Sequence, residues 1–253
     1  MGKLLHLLFI RSWIYWGMGV VVVMHGLIVY APAQLAPPLL KVVSLRGDGA
    51  NGLSQPSADS PVIALTFDDG PNPVFTLQVD KVLQRYGVTA TFFCIGQQVQ
   101  QYPNLVQQTS LEGSAIGNHT WNHPNLTRLS PTAIRWQLSA TSAAIRQATG
   151  IPPDLFRPPY GATNATVRSI ASQLGLLQIL WTIDTHDWQR PGVSAIVSTV
   201  LAKARNGSIV LMHDGGGDRS QTIQALPQII IRLQQRGFTF VTVEQLWKKV
   251  MHF

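Results

Sequence analysis

From Pro61 onward the chain alternates short apolar runs with longer amphipathic ones. Runs at 62–67, 90–95, 114–117, 155–157, 176–183, 208–212 and 238–241 are brief and rich in β-branched or aromatic residues, which predicts strands. Between them, 74–86, 98–110, 131–148, 165–174, 193–205 and 222–235 are predicted helices. Ile134, Leu138 and Ile145 fit one apolar stripe, as do Ile223, Leu226, Ile230 and Leu233. Ser130 before Pro131 is an N-cap followed by proline at the first helical position, and Gly87, Gly150, Gly175, Gly207 and Gly237 stand where helix C-caps belong. About seven strands taken in turn with helices imply an α/β fold with a mostly parallel sheet, closed or nearly closed into a barrel.

In such a fold the residues just past each strand meet on one rim, whatever their separation in sequence. Here those residues are Asp68-Asp69-Gly70, Asn118-His119-Thr120-Trp121-Asn122-His123, Arg157-Pro158-Pro159-Tyr160-Gly161, Asp184-Thr185-His186-Asp187-Trp188 and His213-Asp214-Gly215. Nearly every strand end carries polar or ionisable chemistry. Two adjacent carboxylates are costly to bury without partners, so Asp68 and Asp69 belong past the strand end, either in a turn or in a site.

The N-terminal residues have a different pattern. Lys3 and Arg11 precede an uncharged stretch at 12–30, with Trp13, Tyr15, Trp16 and Tyr30 towards its ends. At about 1.5 Å per helical residue the stretch is near the length that spans a bilayer. Residues 1–33 are therefore expected as one transmembrane segment, a signal anchor, with the alternative of a signal peptide cut after Ala31-Pro32-Ala33. Either means export. Residues 34–60 mix Pro, Gly, Ser, Asn and Gln and are expected as a linker, leaving 61–250 as the folded domain.

Composition narrows the partners. The net charge is +7 and only 12% of residues are charged. The basic residues are scattered, with no block longer than Lys248-Lys249 and no aromatic–basic motif, which argues against nucleic acid. No protein partner is evident. The charge suits a polyanionic cell surface, and the N-terminal segment implies contact with a membrane. Of the ten acidic residues from Ser60 onward, five (Asp68, Asp69, Asp184, Asp187 and Asp214) fall at the strand ends named above. Cys94, the single cysteine, has no intrachain partner and is expected as an inert buried thiol.

His119 and His123 are four apart, a spacing that brings both rings to one face of a helical turn. The metalloprotease pattern would need a glutamate where Thr120 stands. A hydrolytic metal site would thus need its third ligand and its base from elsewhere, and Asp68-Asp69 offers one of each. Three protein ligands with an open position mark a catalytic site rather than a structural one.

Thr66-Phe67-Asp68-Asp69-Gly70, His119-Thr120-Trp121-Asn122-His123, Arg157-Pro158-Pro159-Tyr160, Asp184-Thr185-His186-Asp187-Trp188 and Leu211-Met212-His213 resemble, in order, the five motifs of the polysaccharide deacetylases, the NodB-homology enzymes of carbohydrate esterase family 4. The resemblance implies a distorted (β/α) barrel and metal-dependent removal of acetyl groups from a polysaccharide, most often from N-acetylglucosamine units. It implies that Asp69, His119 and His123 hold one divalent ion, zinc first, with cobalt, nickel or manganese as alternatives. Asp68 would be the general base, Arg157 its partner, His213 the general acid, and the Tyr160 backbone N–H the oxyanion donor. Asp184 would partner His213, with Asp187 as the alternative. Trp188 and Leu211 would wall the acetyl methyl. An O-acetyl esterase on a glycan such as xylan, or a non-catalytic glycan-binding protein, would use the same frame.

Overall fold

The computed structural model describes residues 21–24, 27–30 and 60–251. The chain divides into two compact units, Met1–Leu53 and Ser54–Phe253. In the first, β1 (Val21–Met24) pairs antiparallel with β2 (Leu27–Tyr30), Val21 opposite Tyr30 and Met24 opposite Leu27. Over its described part, the stretch expected to span the membrane is this short extended pair. The β-branched residues Val21, Val22, Val23, Ile28 and Val29 favour extended backbone. The rest of the expected membrane or signal segment, and the expected linker up to residue 59, lie outside the described residues. Among the described residues no helix is long and apolar enough to cross a membrane.

The second unit runs β3 (Val62–Asp68), α1 (Phe75–Tyr86), β4 (Thr91–Cys94), α2 (Gly96–Gln101), α3 (Pro103–Leu111), β5 (Ala115–Asn118), α4 (Pro131–Thr149), β6 (Leu155–Phe156), α5 (Ala165–Gln173), β7 (Leu177–Gln178), β8 (Ile183–Asp184), α6 (Val193–Lys203), β9 (Ser208–His213), α7 (Ser220–Gln235), β10 (Thr239–Phe240) and α8 (Val243–Met251). The strands form one parallel sheet in the order β7-β6-β5-β4-β3-β9-β8. β10 pairs with the start of β3, on the edge that β4 takes over further along. Helices pack outside this sheet, giving the expected distorted (β/α) barrel.

Two expected elements differ, and one helix falls outside the expected set. The predicted strand at 176–183 is two strands on opposite ends of the sheet, β7 on β6 and β8 on β9. Ile179 N–H still reaches the Phe156 carbonyl and Thr182 N–H the Ile209 carbonyl, so this span carries the chain across the gap and closes the barrel. The predicted helix at 98–110 breaks at Tyr102 because Pro103 has no N–H to continue it and instead opens α3. α8 was not anticipated. Its Val243 and Leu246 plug the barrel interior beside Val62, Ala64, Phe93 and Leu155.

Side chains alternate along β3. Ile63, Leu65 and Phe67 face the helices and pack with Val79, Leu83, Leu226 and Ile230. Val62 and Ala64 face inward, which sends Thr66 and Asp68 inward too. Each large apolar side chain buried in this way contributes about 1.5–3 kcal/mol. The barrel interior thus runs from apolar at the strand starts to polar at their ends.

Candidate active site

Arg157 leaves β6 on the inward face and meets both polar residues of β3. Its Nη1 donates to Asp68 Oδ1 at 2.7 Å and to Thr66 Oγ1 at 2.8 Å, and Thr66 Oγ1–H donates on to the Val210 carbonyl. Arg157 is fully buried and Asp68 nearly so. Burial pushes the Arg157 pKa down, against the charge and hydrogen bond of Asp68 that hold it up. Removing either partner would strand a buried charge. Thr66 carried no sequence signal beyond its place two residues before Asp68.

His119 follows β5. Its Nδ1 lies 2.8 Å from the Arg157 carbonyl, which can only accept, so Nδ1 carries the proton and Nε2 presents its lone pair. That Nε2 stands 3.5 Å from Asp69 Oδ1 and 3.8 Å from Asp68 Oδ2. His123 Nε2 is 3.3 Å from the same Asp69 oxygen. The two rings converge without the helical turn that their spacing suggested. Thr120 and His123 take left-handed backbone conformations, and Asn118 Oδ1 and Thr120 Oγ1 accept the N–H groups of Thr120 and His123. Gln137 on α4 accepts from Trp121 N–H and fixes the tip.

Asp69 is also left-handed, at φ 74°. Such backbone in a non-glycine residue costs about 1–3 kcal/mol and gathers at functional sites. Glycines make the room around it: a Cβ on Gly215 would stand 2.1 Å from the Asp69 carbonyl oxygen, and one on Gly216 would stand 2.7 Å from Asp69 Oδ2. Burial raises the Asp69 pKa, but the imidazole of His119 beside it, with His123 and His213 behind, brings it well below the usual carboxylate range. Burial, then the charge of His119, lowers the His123 pKa.

The residues present fit a metal ion. Donor atoms of Asp69, His119 and His123 lie within 4.8 Å of one another. Asp69 Oδ1, which both imidazoles face, is buried with no hydrogen-bond partner, an orphan that a cation would satisfy. One carboxylate and two imidazoles suit a divalent transition metal.

On the other side of the rim, β9 ends at His213. Its Nδ1 lies 2.7 Å from Asp187 Oδ1, and its backbone N–H donates to Asp187 Oδ2 at 2.9 Å. Thr222 Oγ1–H also donates to Oδ2. Burial lowers the His213 pKa, but the hydrogen bond and charge of Asp187 outweigh it and raise the value above ordinary histidine. Burial likewise raises Asp187, and the His213 contacts outweigh it and lower the value. The expected partnership of Asp184 with His213 is therefore corrected. Asp184 Oδ1 turns back on its own chain to accept the His186 N–H, because Asp184 sits within β8 and Asp187 sits in the turn that comes back beneath β9. Thr222, on α7, had no sequence signal.

Tyr160 sits in a left-handed turn at φ 61°, followed by left-handed Gly161. The residue is 70% exposed, and its ring lies edge-on to His123 with centroids 4.6 Å apart. Trp188 is half-exposed in the turn at 187–189, and Leu211 is buried in β9 beside Asp184.

Residues 55–179 match the family described as polysaccharide deacetylase. A peptidoglycan-N-acetylglucosamine deacetylase of Bacillus cereus is 44% identical over 187 residues, covering 73% of this chain and 87% of that protein. A chitooligosaccharide deacetylase of Bradyrhizobium sp. is 42% identical over 196 residues, covering 73% and 90%. Among solved structures, the peptidoglycan deacetylase PdaC from Bacillus subtilis superposes with a TM-score of 0.71 at 39% identity, over 77% of this chain and 93% of that one. The chain belongs to the polysaccharide deacetylase family, metal-dependent hydrolases that act on acetylated glycans.

Proposed function

We propose that this protein hydrolyses N-acetyl groups from a polymer containing N-acetylglucosamine, peptidoglycan or a chitin-like glycan. One observation carries the reading: a carboxylate paired with a guanidinium (Asp68–Arg157) and an imidazole paired with a carboxylate (His213–Asp187) both flank the Asp69–His119–His123 donor set. The substrates printed in the names of its relatives support the substrate class.

Asp69, His119 and His123 would hold one divalent cation, zinc in the first instance. When bound, such a cation supplies Lewis acidity, which acidifies water and polarises a carbonyl. Asp68 takes the proton of the attacking water on Oδ2, since Arg157 holds Oδ1. The Tyr160 backbone N–H donates to the acetyl oxygen as negative charge grows on it. As the C–N bond breaks, His213 gives its Nε2 proton to the leaving amine, Asp187 having fixed Nδ1. Acetate and a free amine result. Trp188 and Leu211 wall the acetyl methyl.

The catalytic unit works outside the cytoplasm in this reading, because its substrate is a wall or extracellular polymer and residues 1–33 carry the charge asymmetry of an export segment. Residues 34–60 would link that segment to the domain at 61–250.

The deciding experiment measures acetate release from peptidoglycan, chitooligosaccharide and acetylated xylan, with chelation and metal restoration. Release from an N-acetylated glycan, lost on chelation and restored by zinc, is the expected result. Release from xylan alone selects an O-acetyl esterase. Activity that survives complete metal removal, or Asp68→Asn, overturns the mechanism.

A further inference from the structure

Trp181 belongs to the span that closes the barrel, after β7 on one edge of the sheet and before β8 on the other. An aliphatic residue would close that gap as well as an indole does, so the choice of tryptophan needs a separate reason. Its ring touches two parts of the site. The Arg157 guanidinium carbon lies 5.7 Å from the ring centroid, within cation–π range. On another side, a Cβ at Gly161 would stand 3.0 Å from Cη2 of the ring. Gly161 and Tyr160 are the two left-handed residues of the turn that carries the proposed oxyanion donor.

Arg157 needs this wall. Its Nε is buried with no hydrogen-bond partner. Its Nη2 has only a 3.4 Å contact to the Leu180 carbonyl, on the residue before Trp181. Hydrogen bonds therefore hold the guanidinium mainly through Nη1, and aromatic faces supply the rest, Phe93 at 4.1 Å and Trp181 at 5.7 Å. Phe93 packs in the inner core and offers its face to Arg157. Trp181 reaches both Arg157 and the Tyr160–Gly161 turn.

We infer that Trp181 is a positioning residue that fixes the arginine behind the proton-accepting Asp68 and the oxyanion turn relative to each other. The inference rests on the deacetylase reading above. In water-mediated amide hydrolysis the groups that take the proton and hold the oxyanion act on two oxygens that share the carbonyl carbon. A misplacement of about 1 Å between such groups costs on the order of 100-fold in rate. Substrate contacts at the rim are not involved, so the loss falls on kcat.

The test compares Trp181→Leu and Trp181→Phe in the full chain. With zinc bound and chitopentaose as substrate, Trp181→Leu is expected to lower kcat about 10- to 100-fold while KM stays within about twofold. Trp181→Phe, which keeps an aromatic face, is expected to recover most of that loss although its thermal midpoint drops at least as far. A second arm needs neither metal nor substrate: in ¹⁵N-arginine spectra of the metal-free chain, the Arg157 Nε–H resonance, assigned with Arg157→Lys, shifts and broadens in the Leu variant and stays sharp in the Phe variant. An unchanged kcat in Trp181→Leu, equal losses in both variants that follow their thermal midpoints, or an unmoved Arg157 resonance overturns the inference. If the wild-type chain releases acetate from no glycan, the deacetylase reading fails on its own, and the resonance still judges whether Trp181 holds Arg157.

Discussion

Asp187 holds His213 at two atoms, ring Nδ1 at 2.7 Å and backbone N–H at 2.9 Å, one carboxylate oxygen for each. The imidazole can neither rotate nor exchange tautomers without breaking a bond, so Nε2 is the nitrogen left to give a proton. Asp187 also raises the His213 pKa against burial, which would lower it. Replacing Asp187 by Asn removes the charge that raises it. The proposed general acid must start protonated, so the basic limb of the kcat/KM–pH profile is expected to move to lower pH in Asp187→Asn. At pH 8 the rate should fall about 100-fold or more. Asp184→Asn, which leaves these contacts intact, should keep the wild-type limb. Parallel pH–rate profiles of the two variants check both statements.

The same pair sets a stability window. The folded pKa of His213 lies above its ordinary 6.5, so its contribution is complete below that value and lost as pH rises through the folded pKa. Asp187 is depressed below 3.8, so its contribution is present above that value and lost as pH falls through the folded pKa. Between these limits Asp187→Asn is expected to destabilise the metal-free domain by about 1–3 kcal/mol, with a smaller difference on either side. Urea midpoints at several pH values measure this.

Arg157 and Asp68 predict a different signature. Both are buried, so Arg157→Leu leaves Asp68 charged and alone, at about 3–5 kcal/mol. Asp68→Asn in the same chain removes the stranded charge. The double variant should therefore be more stable than Arg157→Leu alone, although all three variants are inactive. Denaturant unfolding of the single and double variants forms the cycle that tests it.

The periodicity of the chain and its strand-end residues made the barrel and most of the rim legible. Asp68, Asp69, His119, His123, Arg157 and His213 come together as the parallel topology requires. What stayed hidden depended on where side chains turn. Asp184 and Asp187 lie three residues apart, one ending β8 and the other in the turn after it, and no spacing rule says which carboxylate faces back to β9. The split of 176–183 was hidden because an apolar run looks the same whether it pairs with one strand or crosses between two edges. The histidine pair matched a helical spacing, yet left-handed Thr120 and His123 bring the rings together instead. Local hydrogen bonds accepted by the Asn118 and Thr120 side chains decide that conformation, and no hydrophobic pattern records them.

Asp80 lies under the barrel's outer layer, on α1, accepting a hydrogen bond from Thr109 Oγ1 at 2.7 Å. Burial, with a contribution from Glu112, pushes its pKa up to about 7. Because the folded value exceeds the unfolded 3.8, the native state binds more protons across that interval and stability falls as pH rises through it. Asp80→Asn keeps an acceptor for Thr109 and has nothing to ionise. At pH 7.5 the variant should be more stable than the wild type by about 1–3 kcal/mol, and near pH 4 the two should converge. Thermal or urea unfolding across that range provides the comparison.

Gly216 gives a test of the metal site that leaves every proposed ligand and proton carrier in place. It is left-handed at φ 71°, and a Cβ there would press on Asp69 Oδ2 at 2.7 Å. Asp69 cannot retreat freely, because Gly215 abuts its carbonyl oxygen and its own backbone is already left-handed. Gly216→Ala should therefore turn the Asp69 carboxylate away from His119 and His123. Supports of this kind typically carry 10- to 100-fold in metal affinity, so a loss of about that size in zinc binding is expected. Asp69→Asn, which removes the anionic donor itself, should lose more. Calorimetric titration of the chelated protein with zinc measures both affinities without reference to activity, and an unchanged affinity in Asp69→Asn would exclude Asp69 from the donor set.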